Sequence, residues 1–139
     1  MKKITWLGLR LAMGLIFLWA FVDKLFGLGF ATKSENSWLS GGSPTSGFLM
    51  NATRGPFVEL FKGLAGVTII DWFFMLGLLF VGLTVTFNRY LKWGAMAGSV
   101  MMLLMYLAVF PPANHPFLDD HIIYILVLAL LAYKNTDRI

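Results

Sequence analysis

Four long apolar stretches decide what this chain can fold into, because a helix needs about 20 mostly apolar residues to cross a hydrocarbon core ~30 Å thick. The stretches cover residues 4–28, 71–87, 93–110 and 117–133. Hydrophobic residues make up 58% of the 139 residues and charged residues only 13%, whereas about 25% is usual in a soluble domain. The sequence therefore predicts an all-α integral membrane protein, a single domain folded as a four-transmembrane-helix bundle.

The ends of these stretches carry further information. Residues 4–28 are interpreted as a retained helix rather than a signal peptide, since the run is too long, contains Arg10 and lacks a small-x-small cleavage site. The third stretch stops at Phe110, because the two prolines that follow it lack the amide hydrogen that a helix needs. The fourth stretch is the shortest, so we expect it to begin in the membrane interface.

The distribution of charge predicts the orientation, because cytoplasmic flanks of membrane helices are enriched in Lys and Arg. Four crossings with the N-terminus inside place seven basic residues and one acidic residue on the cytoplasmic side, against four basic and six acidic residues outside. Both termini are therefore expected in the cytoplasm. The basic residues form no patch or stripe, so nucleic acid is not an expected partner.

Residues 29–70 are expected to form a long, partly helical extracytoplasmic loop that caps the bundle. Ser43 followed by Pro44 is the pattern of a helix N-cap and first turn, and the Gly-Pro pair at 55–56 predicts the end of that helix. Apolar side chains recur at helical spacing over residues 56–65, which predicts an amphipathic helix in the interface or over the bundle.

The predicted topology gathers ionisable residues at similar depth near the outer surface: Asp23, Lys24, Asp71, Asp119, Asp120 and His121. Ionisable groups near the hydrocarbon are costly and are usually paired or functional, so this outer mouth is the candidate site. The alternative for Asp71 and Asp119 is structural, since carboxylates are favourable at helix N-termini.

Two further pairs of residues are candidates for the site because each pair can lie on one face of a helix. Arg10 and Lys24 lie 14 residues apart and share a helix face to within about 40°, although Arg10 could instead extend to the inner headgroups. His121 and Tyr124 lie three apart on the fourth helix and can face the same space, where a histidine can carry protons. The alternative for His121 is a hydrogen-bonded interface residue without chemistry.

Several segments resemble the DoxX/DoxD family of four-helix membrane proteins. They are Arg10, Phe-Leu-Trp-Ala-Phe-Val-Asp-Lys at 17–24, Gly-Leu-Gly-Phe-Ala-Thr at 27–32, the 38–48 segment with Gly-Ser-Pro-Thr at 42–45, and His121. The resemblance covers nearly the whole chain. It implies the membrane subunit of a thiosulfate:quinone oxidoreductase or a relative, in a prokaryotic plasma membrane, with membrane lipids around it. It also implies a second, extracytoplasmic or redox subunit as partner, and a homo-oligomer is possible.

The chain has no cysteine, which excludes disulfides, thiol redox chemistry and thiolate metal sites. Together with the ionisable residues gathered at one membrane face, the resemblance implies the leading hypothesis: a quinone-linked oxidoreductase subunit that uses a diffusible quinone as electron acceptor, without a metal site. The residues assigned to chemistry are His121, Asp120 as the group that orients it, and Lys24. The residues assigned to substrate or quinone contact are Arg10, Asp23, Trp19, Ser43, Thr45 and Tyr124. The alternative hypotheses are a non-catalytic scaffold or assembly partner for a redox enzyme, and an ion or small-molecule pathway.

Overall fold

The computed structural model describes residues 2–136, so Asp137 and Arg138, which the charge count includes, lie outside the described residues. The described part is helical and contains no strand, as predicted. Its helices are α1 (Lys2–Phe26), α2 (Ser46–Asn51), α3 (Val58–Lys62), α4 (Thr68–Phe87), α5 (Leu91–Val109) and α6 (Asp120–Thr136). Two short 3-10 helices, Ser34–Asn36 and Trp38–Ser40, lie between α1 and α2.

Three helices in the described range, α1, α4 and α5, are long and apolar enough to cross a membrane. The fourth long helix, α6, has 17 residues. Its described part spans about 25 Å at 1.5 Å per residue, and it is not among the candidate crossings found in the described range. The chain is thus a membrane-type protein with three candidate crossings, and the fourth crossing stays a prediction.

The observed helix ends differ from the predicted ones by up to three residues. α1 ends at Phe26 because Gly27 adopts φ +65° and its N–H donates to the Asp23 carbonyl at 2.7 Å, which closes the last turn. α6 begins at Asp120 rather than at residue 117. The ring nitrogen Nδ1 of His115 accepts from the N–H groups of Phe117 and Leu118, each at 3.0 Å, and so holds them in a turn.

The four long helices pack side by side in a ring, in which α1 and α5 each contact both α4 and α6. The core between them contains the fully buried side chains of Phe17, Met75, Val81 and Leu128. α1 packs closely against α4 at Gly14, where an added Cβ would lie 2.7 Å from the backbone nitrogen of Thr86. Large apolar side chains cover much of the outward surface of the helices, as a lipid-facing surface requires.

The bundle has two chemically different ends. The basic end contains the N-termini of α1 and α5 and the C-termini of α4 and α6. Its described charged residues are all basic: Lys2, Lys3, Arg10, Arg89, Lys92 and Lys134. The loop end contains residues 27–67 and 110–119 and all described acidic residues. The asymmetry is the kind that orients membrane proteins with the basic end in the cytoplasm.

The loop between α1 and α4 folds back over the bundle, with α2 against α3 and α3 against α5. Ser43 Oγ accepts from the Ser46 N–H at 3.2 Å, as predicted for a capping side chain, but α2 begins only at Ser46 and its N-cap residue is Thr45 rather than Ser43. α3 is shorter than the predicted helix over 56–65. Phe61 is buried against the bundle, whereas Leu60 of the same predicted apolar stripe is 65% exposed.

Candidate functional site

Asp23 holds the turn that follows α1 rather than facing a ligand. Its carboxylate is 1% exposed and accepts from the backbone N–H groups of Phe30, Ala31 and Thr32 at 3.3, 2.8 and 3.0 Å. Hydrogen bonds to a charged group are the strong ones, so this contact fixes the start of the loop to the end of α1. The predicted role of Asp23 in substrate contact is therefore replaced by a structural one.

Asp71 anchors the middle of the loop to α4. Its Oδ1 accepts from Ser43 Oγ at 2.8 Å and from Thr45 Oγ1 at 2.6 Å, and both Thr45 and Asp71 are buried. Because α4 begins at Thr68, the carboxylate lies within the first turn but binds loop hydroxyls rather than the backbone of its own helix. Ser43 and Thr45, predicted to contact a ligand, donate their hydroxyl hydrogens to Asp71, and Thr45 also borders the apolar cavity described below.

Arg10 stabilises the far end of α4. Its Nη1 donates to the carbonyls of Val85, at 3.0 Å, and Thr86, which are among the carbonyls that a helix leaves without partners at its C-terminus. The same-face prediction for Arg10 and Lys24 is consistent with the structure, since the Lys24 ammonium lies 5.9 Å from the centre of the Phe74 ring of α4. The two cations are nevertheless at opposite ends of the bundle, so Arg10 cannot join Lys24 in one site.

Lys24 borders an apolar cavity of about 310 Å³ between α4, α5 and the two loop helices. The side chains around it are almost entirely aliphatic, aromatic or thioether; they include Phe48, Leu49, Phe61, Phe74, Met101 and Met105. The cavity also reaches Phe73 and Leu104, which are 70% and 51% exposed on the outer surface. It is therefore open toward the lipid side between α4 and α5.

The Lys24 ammonium has no carboxylate within 4 Å in the described part of the chain. The oxygens of the adjacent Asp23 accept from the turn after α1, which leaves the ammonium with the Phe74 ring as its nearest described cation–π partner. An ammonium supplies three hydrogen-bond donors and no acceptor. The cavity thus combines apolar walls with one strong donor, the arrangement of a site for a mostly apolar molecule that carries an oxygen.

His121 lies in a second, polar recess at the loop end, about 770 Å³ and open to solvent. Its Nδ1 lies 2.7 Å from Asp119 Oδ2, and its N–H donates to Asp119 Oδ1 at 3.0 Å. The predicted partner Asp120 is exposed and makes no such contact. Asp119 directly precedes α6, so one of its oxygens caps the helix while the other orients the His121 imidazole. The group that orients His121 is therefore Asp119, not Asp120 as predicted. Arg54 borders the same recess.

The cavity and the recess are neighbours. Leu49 and Ala108 border the cavity, while Thr53 and Val109 border the recess. The wall between them is fixed by a hydrogen bond from Thr53 Oγ1 to the Leu49 carbonyl at 2.7 Å. A second bond of 2.9 Å joins the N–H of residue 54 to the carbonyl of Ala108. The two spaces share no lining residue, and the neighbouring residues Ala108 and Val109 border one space each.

The two aromatic residues predicted to contact the quinone, Trp19 and Tyr124, lie in different parts of the structure. Tyr124 packs against the main core and does not border the recess that contains His121. Trp19 is 48% exposed and packs edge-on against Phe30, with 5.0 Å between ring centres. It borders a shallow outer groove on α1 that Asp23 and Lys24 also reach. The proposed quinone contacts of the two residues therefore lie in different places.

The apolar cavity is the feature that sequence reasoning missed. The only signal for it was the apolar face predicted for the loop helices, and a face of this kind does not say whether it packs tightly or leaves a space. No group of three or more His, Asp or Glu residues capable of holding a metal ion occurs among residues 2–136. Comparison with known proteins adds no assignment: no family, no curated protein and no solved structure matches the chain.

Proposed function

We propose that this chain is the membrane subunit of a quinone-linked oxidoreductase of DoxX/DoxD type, and that a lipid quinone binds in the apolar cavity beside Lys24. The supporting observation is the cavity itself, in which an ammonium without a carboxylate partner borders about 310 Å³ of apolar space. The volume lies at the lower end of the range for small-molecule sites, so it suits a ring headgroup whose tail continues into lipid.

The residues present fit such a molecule. Lys24 would donate to a carbonyl oxygen of the ring, and Phe74, whose ring already contacts the ammonium, would lie beside it. Phe73 and Leu104 at the outer opening of the cavity would contact the isoprenoid tail. A bound quinone supplies an acceptor for two electrons and two protons. The chain's own contribution is to bind the ring, to orient one oxygen toward Lys24 and to exclude water.

His121 keeps a role in this proposal as a proton-exchanging group in the neighbouring recess, with Asp119 rather than Asp120 orienting it. Thiosulfate is the electron donor that the family resemblance suggests. The recess is mixed in charge, since Arg54, Asp119 and Asp120 all border it, and two carboxylates oppose a dianion. We therefore assign donor binding to a second subunit that docks at the loop end, and the chain provides the quinone side.

The proposal includes the orientation and all four crossings. The basic end would lie in the cytoplasm of a prokaryotic plasma membrane, which follows from its six basic residues and the absence of acidic ones among the residues described there. α6 would cross with its N-terminal turn in the outer interface, since Asp120 is exposed at its start.

The test is quinone binding by the purified protein in non-ionic detergent. Decylubiquinone and a short-chain menaquinone are titrated, and binding is measured by quenching of tryptophan fluorescence and by native mass spectrometry. Lys24→Met removes the donor but keeps the stem. A hydrogen bond to a charged group contributes about 1.5–3 kcal/mol, so we expect binding to weaken about 10- to 150-fold.

Lys33→Met is the matched control, because Lys33 is an exposed lysine of the same loop end that does not border the cavity. We expect it to bind quinone like the wild type. Equal affinities for Lys24→Met and wild type, or no binding by the wild type, would remove the proposal. A chain that captures a redox enzyme from the membrane yet binds no quinone would instead be the scaffold considered as the alternative function.

A further inference from the structure

Trp6, near the start of α1, lies between two cations that come from different parts of the chain. The Arg10 guanidinium carbon is 5.4 Å from the centre of the indole ring, and the Lys134 ammonium of α6 is 5.8 Å from it. This cluster, which we call the Trp6 cluster, lies at the basic end, where α1 and α6 are in contact. It is at the opposite end of the bundle from Lys24, so it does not depend on quinone binding, and it rests only on the orientation given under the proposed function.

The two cations of the Trp6 cluster are not equivalent. Arg10 is 9% exposed and its Nη1 binds the last carbonyls of α4, so it contributes positive potential rather than an accessible donor. Lys134 is partly exposed and has no carboxylate within 4 Å in the described range. With no acidic residue among the described part of the basic end, Lys134 is the cation of the Trp6 cluster whose ammonium is accessible to an anion.

The surface next to Lys134 shows which kind of anion fits. Leu130 and Leu126 lie one and two turns before Lys134 on the same face of α6, and their side chains are 52% and 60% exposed. A phosphate at Lys134 would thus have an apolar track running from it along the bundle toward the loop end. Free phosphate gains nothing from such a track, whereas the acyl chain of a phospholipid does.

We infer that the Trp6 cluster binds the phosphate of an anionic membrane phospholipid. Lys134 contacts the phosphate, the buried Arg10 strengthens the positive potential, and one acyl chain lies along Leu130 and Leu126. Basic sites between membrane helices on the cytoplasmic side recognise anionic headgroups in this way. Trp6 suits the interface because indole rings concentrate at headgroup level.

The inference is tested with purified protein in a neutral detergent by native mass spectrometry. Dioleoylphosphatidylglycerol, dioleoylphosphatidylcholine and sodium phosphate are titrated separately. Lys134→Gln removes the charge, and from a value of about 1 kcal/mol for each cation near an anionic lipid we expect phosphatidylglycerol binding to weaken about fivefold. Lys134→Arg keeps the charge and should retain the wild-type affinity.

Lys92→Gln is the matched control, because Lys92 is an exposed lysine of the same basic end and makes no described contact with Trp6. It should bind phosphatidylglycerol like the wild type. The inference fails if Lys134→Gln binds as the wild type does, if Lys92→Gln weakens binding as much, or if phosphatidylcholine binds equally well. It also fails if sodium phosphate binds as tightly as the lipid, because the site would then recognise free phosphate.

Discussion

Removal of the Thr45 hydroxyl should loosen the loop from the bundle, because Asp71 is the acceptor that holds the middle of the loop on α4. The bond from Thr45 Oγ1 to Asp71 Oδ1 is 2.6 Å long, and both residues are 6% exposed, so Ser43 is left as the described hydroxyl donor to this oxygen when the Thr45 hydroxyl is removed. A hydrogen bond to a charged group contributes about 1.5–3 kcal/mol. Thr45→Val keeps the shape of the side chain, and we expect it to lower the free energy of unfolding by about that amount.

For a chain of this size, a loss of about 1.5–3 kcal/mol lowers the melting temperature by roughly 5–12 °C. The molecule contains its own reporter, since Trp72, next to Asp71, packs against Trp38 of the loop with 4.7 Å between ring centres. Thermal unfolding in detergent is therefore followed by tryptophan fluorescence. Trypsin cleavage in the loop should become faster in parallel, because its backbone opens more often.

A double-mutant cycle separates this bond from other effects of each substitution. Thr45→Val, Asp71→Asn and the double variant should give a coupling energy of about 1 kcal/mol or more. Asn51→Ala is the control in the same loop, since Asn51 binds only the Gly47 carbonyl in an exposed position, and its cost should stay within about 0.5 kcal/mol. If Thr45→Val matches this control and the coupling vanishes, Asp71 acts only as a favourable charge at the N-terminus of α4.

Three further substitutions test other parts of the fold by thermal unfolding. Asp23→Ala leaves three backbone N–H groups without their acceptor and should cost about 3–5 kcal/mol; a cost below that of an exposed substitution would contradict the proposed turn. Gly14→Ala places a Cβ against the backbone of α4 and should cost about 1–3 kcal/mol, whereas Gly8→Ala meets nothing within 4 Å and should be neutral or stabilising. Asp119→Ala should cost about 0.5–2 kcal/mol through loss of the α6 cap and Asp120→Ala much less; the reverse order would restore Asp120 as the partner of the imidazole.

The long helices could be predicted because length and hydrophobicity are local properties of the sequence. α1, α4 and α5 were placed to within three residues at each end. The side chain of Ser43 accepts from the Ser46 N–H as an N-cap would, but the helix begins two residues later than predicted, with Thr45 at the N-cap position. The start of α6 was missed for an equally physical reason. The ring nitrogen of His115 accepts from the N–H groups of Phe117 and Leu118 and holds them in a turn before the helix. The hydrophobicity of a stretch does not predict such a hydrogen bond between a side chain and the backbone.

The candidate site could be predicted only in outline. Asp71 lies 26 residues from Thr45 and Arg10 lies 75 from Val85, and no spacing rule reveals partners at such separations before the helices are packed. The role of Asp23 was easier to predict from the sequence, since Gly27 and Gly29 follow within six residues. Both adopt positive φ, which is typical of a tight turn after a helix. The alternative assignment of Asp119 to a helix N-terminus was correct, because capping depends only on neighbouring residues.

Asp23 and Asp71 hold the loop in place, and this explains why Lys24 has no carboxylate within 4 Å in the described part of the chain. The oxygens of Asp23 accept from a turn and Asp71 accepts from two hydroxyls, so neither carboxylate forms an ion pair with Lys24 within 4 Å, although the negative charge of the adjacent Asp23 still acts on the ammonium. An ammonium beside apolar space is costly unless an oxygen approaches it. Charged groups that lower the stability of the fold in this way are expected at binding sites, because function there is retained at the expense of stability. An oxygen-bearing apolar molecule in the cavity would supply a hydrogen-bond acceptor for the Lys24 ammonium. The proposed quinone site is therefore built on Lys24 rather than on His121.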